Sequence, residues 1–269
     1  MRPTILKLGG SLITRKEEDK PEVNRKTLIR LAKEISESMK TRKMSLIIVH
    51  GAGPYGHVPA KEYALTGGNK GRKQVRGMVV THQRMEELNA EVVGALVDAG
   101  LDAMAFQPSA GGVMEDRRLV SFPLESVERM LALGIVPVMY GDVLPELKTG
   151  LNILSGDHLV PYLAEKLGAD RVVIATSHNG VYDRDPDEKG ALKIGVLDER
   201  TVAMLEPRKT KGTDVTGGIG RKVRELMALS RHGVRSEIIS GNEPGYVKRA
   251  LLGEEGIGTR ILSSVDNAT

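Results

Sequence analysis

The sequence contains no cysteine and no tryptophan, and only two of its 269 residues are phenylalanine. Without cysteine there are no disulfides and no thiolate metal sites, a usage compatible with a reducing cytosol. With so few aromatic rings the core must be aliphatic, which a hydrophobic content of 40% allows. No apolar stretch approaches the length of a membrane span. The opening MRPTILKLGG lacks a run long enough for a signal peptide, so a cytoplasmic location away from membranes is expected. The net charge of +4 comes from interspersed signs, with Glu17, Glu18 and Asp19 beside Arg15, Lys16 and Lys20. Only Lys70–Lys73 forms a short basic run, and it has no interleaved aromatics. Small polyanions are therefore the expected partners, rather than nucleic acid.

Glycine is abundant, at 31 residues. The stretch Leu46–His57, LIIVHGAGPYGH, runs from four apolar residues into glycines and closes on an imidazole. This reads as a buried strand entering a turn whose N–H groups can cradle a phosphate, with a helix to follow. Gly51-Ala52-Gly53-Pro54-Tyr55-Gly56 matches the dinucleotide fingerprint G-x-G-x-x-G and also the first half of a P-loop. Context weakens both readings. A dinucleotide site wants an acidic residue about twenty positions on, at the tip of the next strand, and Gly67–Arg76 is glycine-rich and basic instead. The P-loop needs lysine where His57 stands.

Along the chain, Thr4–Leu8 predicts a first strand ending in Gly9-Gly10-Ser11, with Lys7 near its carboxyl end. Asn24 is a reasonable N-cap for a helix with Leu28, Leu31, Ala32, Ile35 and Met39 on one face. Gly67–Gly71 reads as a loop, Met78–Ala99 as a helix, and Leu101–Phe106 and Arg117–Phe122 as short strands. Val127–Leu133 reads as helical, Ile135–Tyr140 as a strand, and 143–154 as a hairpin. Ser155-Gly156-Asp157 opens a helix through Leu167, and Arg171–Thr176 is a buried strand before the polar loop 177–190. GTDVTGGIGRK leads into a helix ending near Gly233, and Val234–Ser240 and Ile257–Leu262 complete a sheet. Strands alternating with helices predict an α/β fold, an open sandwich around a mainly parallel central sheet.

Four turns thus expose backbone after strands or at helix starts, each beside a charged side chain: Lys7, His57, Asp157 or Lys222. Such a set suits two polyanions held end to end, as phosphoryl transfer requires. Singly, each residue has a plainer role. Lys7, Lys16 and Lys222 could be solvated charges, Asp157 a helix N-terminal acid, and His57 a capping or core residue. Asp183 and Asp185 could belong to a turn.

In order, KLGGS, the strand entering G-x-G, LSGD, GVYDRDP and DVTGGIGRK resemble the amino acid kinase superfamily over essentially the whole chain. Within it the chain is most similar to the isopentenyl phosphate kinase family, through Gly56-His57 and Ile13-Thr14-Arg15-Lys16. The resemblance implies an acceptor-binding lobe (1–154) and an ATP-binding lobe (155–269) in one domain. It also implies ATP with Mg²⁺ as donor, transfer to isopentenyl phosphate, and a homodimer. It assigns Lys7, Gly9, Gly10 and Ser11 to the ATP phosphates and Lys16 to charge stabilisation in transfer. Ala52 and Gly53 offer N–H groups, His57 binds the acceptor phosphate, Gly156 touches the acceptor, and Asp157 orients the lysines. Tyr182, Asp183, Asp185 and Pro186 border the nucleotide, and Gly218 and Lys222 serve its phosphates. Two departures stand out: Gly-Ala-Gly-Pro-Tyr where relatives commonly have Gly-Gly-Gly-Ser-Phe, and Ser177-His178 where they often carry an Asp after Thr. Other acceptors within the superfamily are fosfomycin, carbamate, glutamate and UMP. For an isopentenyl tail, Met78, Met85 and Ile153 are the expected apolar slot.

Overall fold

A computed structural model describes residues 1–15, 21–199, 201–202 and 220–262. The chain opens with β1 (Thr4–Leu8), a single helical turn α1 (Gly10–Ile13), and a small ribbon of β2 (Thr14–Arg15) and β3 (Glu22–Val23). Helix α2 (Arg25–Thr41) starts where the Asn24 side chain accepts from the Thr27 N–H, as an N-cap should. Then come β4 (Leu46–His50), α3 (Gly53–Glu62) and the long α4 (Arg72–Asp98). The sequence predicts α4 only from Met78. Its first turns are hidden by Gly71 and Gly77, and Gly77 is glycine because a Cβ there would collide with Tyr63 at the end of α3.

The middle of the chain supplies β5 (Ala103–Ala105), β6 (Val113–Glu115), β7 (Arg118–Ser121), α5 (Leu124–Ala132) and β8 (Val136–Tyr140). The expected hairpin is β9 (Asp142–Glu146) with β10 (Gly150–Leu154), antiparallel throughout. After it come α6 (Gly156–Lys166), β11 (Arg171–Thr176), β12 (Val181–Tyr182), β13 (Lys193–Ile194) and β14 (Val196–Leu197). The last elements are α7 (Gly220–Ser230), β15 (Arg235–Ser240), α8 (Tyr246–Leu251) and β16 (Thr259–Ile261).

Eight strands form the main sheet in the order β14-β16-β15-β11-β1-β4-β8-β5. Every neighbouring pair is parallel except β15 with β16. Strands from the first half of the chain occupy one side and those from the second half the other, and the two halves meet at β1 and β11. Alternation along the strands sends Ile5, Val49, Val172 and Ile174 into a core under α5, α6 and α7. Leu6, Leu8, Ile48, Val173 and Ala175 face the opposite core, under α2, α4 and α8. Both faces are covered, so the strands read as unbroken apolar runs, which is why they were visible in the sequence. A second sheet, β10-β9-β6-β7, follows β8 through Gly141, and its β9 and β10 supply one wall of the site.

Candidate functional site

Parallel strands all release their loops at one edge, and ligands in open α/β sheets gather there. Here the turns after β1, β4, β8 and β11 surround a cleft of about 900 Å³, together with the start of α6, the inner faces of α3 and α4, and the 180–187 loop. Lys7 reaches it from within the sheet. It is paired in register with Val49 on one side and Ile174 on the other, and it is only 5% exposed. Its Nζ donates to Asp157 Oδ1 at 2.5 Å. Asp157 lies in the first turn of α6, where a carboxylate is favoured by the helix dipole. Gly156 leaves room for this pair, since a Cβ there would press on Lys7 Cε at 3.1 Å and Val49 Cγ1 at 3.3 Å.

The glycines of the two amino-half turns have a steric reason beyond phosphate access. A Cβ on Gly10 would overlap the backbone N of Gly53 and approach its Cα to 2.9 Å, and a Cβ on Gly51 would lie 2.5 Å from the N of Gly10. The turns after β1 and β4 therefore touch backbone to backbone. Gly53 also takes φ +50°, and Thr14, whose hydroxyl donates to the Gly10 carbonyl at 2.6 Å, fills the space beside it. Gly10→Ala should lower stability by about 1–3 kcal/mol, the usual cost of overpacking a close contact. Turnover should fall more than stability alone explains, because both turns shift. Denaturant midpoints measured beside steady-state rates check this.

Two histidines outside the expected set shape the walls. His50, the last residue of β4, is fully buried; Nδ1 donates to the Gly51 carbonyl at 3.1 Å and Nε2 faces the Asn89 side-chain amide at 3.1 Å. Its ring stacks on Tyr140 with centroids 5.6 Å apart. Burial pushes its pKa from 6.5 down to about 4. The sign follows directly. As pH falls below the unfolded value of 6.5, the unfolded chain takes up a proton that the native ring refuses, so stability falls until pH nears 4. The loss should total about 3 kcal/mol. Urea midpoints across this range should show that slope, and His50→Gln should flatten it.

His82 on α4 donates from Nδ1 to the Asp142 carboxylate at 3.0 Å, and that bond raises its pKa. Asp142 also accepts from the Val143 N–H at 2.8 Å. The pair fastens α4 to β9, the two elements that carry Thr81, Met85 and Val143 into the cleft. The Thr81 hydroxyl is buried there without a hydrogen-bond partner among the described residues.

The cleft gathers most of the expected site. Lys7, Gly9, Gly10, Ser11, Ala52, Gly53, His57, Gly156, Asp157, Tyr182, Asp185 and Pro186 all line it. His57 presents an exposed ring from the second turn of α3. Asp183 is the exception: it does not line the cleft, because its carboxylate accepts from the Leu192 N–H at 2.9 Å and pairs with Arg184, bracing the β12–β13 ribbon. Of the expected slot, Met85 and Ile153 line the cleft, while Met78 packs beside Leu65, Val143 and Leu151. Lys16 and Gly218 lie outside the described residues, as does the side chain of Lys222 at the start of α7. His50, Thr81, His82 and Asp142 were not anticipated. For His50 the signal was present, a polar residue ending an apolar strand; His82 and Asp142 stand sixty positions apart, and nothing local links them.

Comparison with known proteins adds an independent line. Residues 2–240 match the model of the amino acid kinase family. The isopentenyl phosphate kinase of Methanothermobacter thermautotrophicus is 39% identical, covering 96% of this chain and 98% of that protein. That of Haloferax volcanii is 36% identical, covering 93% and 99%. A crystal structure of an isopentenyl phosphate kinase superposes with a TM-score of 0.83 at 37% identity, covering 96% of this chain and 99% of its own.

Proposed function

The chain belongs to the amino acid kinase family, among the isopentenyl phosphate kinases, and we propose that its cleft transfers the γ-phosphoryl group of ATP to isopentenyl phosphate, giving isopentenyl diphosphate and ADP. The observation that carries this reading is the Lys7–Asp157 pair beneath the contact between the two glycine turns. The first N–H groups of α1 and α3 have no partners within their own helices, and both helix starts open on the cleft. In this reading Gly9, Gly10 and Ser11 face the donor phosphates, while Ala52, Gly53 and His57 face the acceptor phosphate. An oxygen of that phosphate attacks the γ-phosphorus as the bond to the bridging oxygen of ADP breaks. Lys7 neutralises charge that spreads over the transferred group, and Asp157 holds its ammonium in place. Lys16 is proposed to stabilise charge during transfer, and Gly218 and Lys222 to serve the ATP phosphates.

The donor turn suits a nucleotide phosphate chain because the first N–H groups of α1, which have no partners within that helix, open on the cleft beside Gly9, Gly10 and Ser11. Among the described residues no group of three or more His, Asp or Glu is arranged to hold a metal ion. Mg²⁺ would be held mainly by the nucleotide phosphates and water, its usual mode in kinases, with Asp157 the carboxylate of this chain in the same cleft. Tyr182, Asp185 and Pro186 are proposed to border the nucleotide, 1–154 to form the acceptor lobe and 155–269 the ATP lobe. We further propose a homodimer in the cytoplasm; among the described residues no helix is long and apolar enough to cross a membrane.

Isopentenyl phosphate is favoured over an amino-acid acceptor by the charges available. Among the described cleft carboxylates, Asp142 is held by His82 and Asp157 by Lys7, which leaves Asp185 and Asp187 of the 180–187 loop, on the side proposed for the nucleotide. Ala60, Met85, Val143 and Ile153 offer the apolar wall a prenyl tail needs. An ADP-release screen across isopentenyl phosphate, fosfomycin, carbamate, glutamate and UMP tests the assignment. Isopentenyl phosphate should lead in kcat/KM, and a clear preference for any other acceptor overturns it.

A further inference from the structure

The edge of the main sheet opposite the cleft is strongly cationic. Thr4, Arg171 and Arg235 are aligned in register across β1, β11 and β15, so they share one face at the amino ends of these strands. A cavity of about 210 Å³ opens there, between the α2–β4 connection and the end of α8. Arg2, Arg42, Lys43, Arg171 and Arg235 line it, against one carboxylate among the described residues, Asp170. That carboxylate is 3.7 Å from Arg235 and accepts a long bond from Thr4 at 3.4 Å.

Some of this charge has an ordinary use. Arg42 donates to the Leu252 carbonyl at 3.4 Å, and Arg171 donates to Glu237 and to the Glu254 carbonyl, both at 3.2 Å. Cations are favoured beside carbonyls that a helix leaves unpaired at its end. Capping does not account for Arg2, Lys43 or Arg235. Nor does it account for the Nε–H of Arg171, which is buried with no acceptor among the described residues although the residue is only 5% exposed. A buried donor left unmatched is costly, and a phosphate oxygen is the acceptor that suits a guanidinium best.

We infer that this cavity is a second anion site, binding a phosphate or diphosphate group at the end of the sheet remote from the reaction. The strands separating the two sites are five or six residues long, roughly 15–20 Å, so a ligand here shares no contact with the cleft. The group could arrive as free diphosphate or as the head of a small ester such as the reaction product. Met44, Leu251 and Leu252 on the wall suit an ester with an apolar tail.

Titration calorimetry can decide. With the cleft filled by a non-hydrolysable ATP analogue and isopentenyl phosphate, pyrophosphate and isopentenyl diphosphate are titrated separately. Each chain should take up one further molecule of at least one of them. The Lys43→Ala/Arg235→Ala double variant should weaken that binding roughly tenfold or more, with kcat/KM in phosphate-free buffer unchanged. Arg171→Lys, which keeps the charge and removes Nε, should weaken it too. Equal binding of both ligands identifies the bare diphosphate group as the determinant; tighter binding of the ester identifies a contribution from the tail. No saturable binding of either, or binding that the folded double variant retains, overturns the site.

Discussion

Replacing His57 by alanine should leave the protein folded and remove most of its use of isopentenyl phosphate. The ring is exposed and lies on the second turn of α3, so its loss costs the core nothing. In the proposed complex it donates to the acceptor phosphate and holds the attacking oxygen in line with the γ-phosphorus. Loss of such positioning should lower catalysis by about 10²-fold. The effect should appear mainly in kcat/KM for the acceptor, with the KM for ATP nearly unchanged. His57→Gln, which can still donate, should recover part of the loss, whereas a generally disturbed α3 would not be rescued this way. Alanine kinetics equal to the parent would remove His57 from the acceptor site.

A larger loss is expected from Lys7→Met, which keeps the length of the stem and deletes its charge. Lys7 is buried between Val49 and Ile174, and Gly156 closes over it, so no neighbouring lysine from the described residues can take its place. Its ammonium is the fixed positive charge that the sheet itself delivers to the meeting point of the two turns. Turnover should drop by about 10³-fold or more, since transfer of this kind depends almost wholly on positioning and charge. Asp157→Asn should be milder, because the amide oxygen can still accept from Nζ and hold the side chain. Single-turnover rates at saturating ATP separate the two cases. Equal losses in both variants would mean that Asp157 does more than position the lysine.

How far the sequence could be read depended on how local each signal was. β1, β4, β8 and β11 are covered on both faces, so each is an apolar run of five or six residues ending at a polar or glycine position. Such a pattern needs no knowledge of neighbours. The turns carrying Gly9–Gly10 and Gly51–Gly53 were legible as backbone sites for the same reason, but their purpose was only half read. Their glycines also let two chain segments pass in contact, a constraint that neither segment shows alone. The start of α4 was lost because Gly77 looks like a loop residue until Tyr63 is seen packed upon it. The His82–Asp142 clasp and the cations at the opposite edge are assembled from distant positions, so no window of sequence contains them. Asp183 shows a different limit. It sits within the right motif, GVYDRDP, yet its carboxylate is occupied in closing its own ribbon.

The contact between Gly10 and the 51–53 turn bears on how such an enzyme can change over evolutionary time. Donor and acceptor turns abut through main-chain atoms, so in the proposed complex the spacing of the two reacting phosphates is a property of the scaffold. Side chains farther along the cleft, such as Thr81, Met85 and Ile153, can be exchanged without altering it. New acceptors can then be explored by substitution in α4 and β10 alone, while the reaction distance is inherited intact.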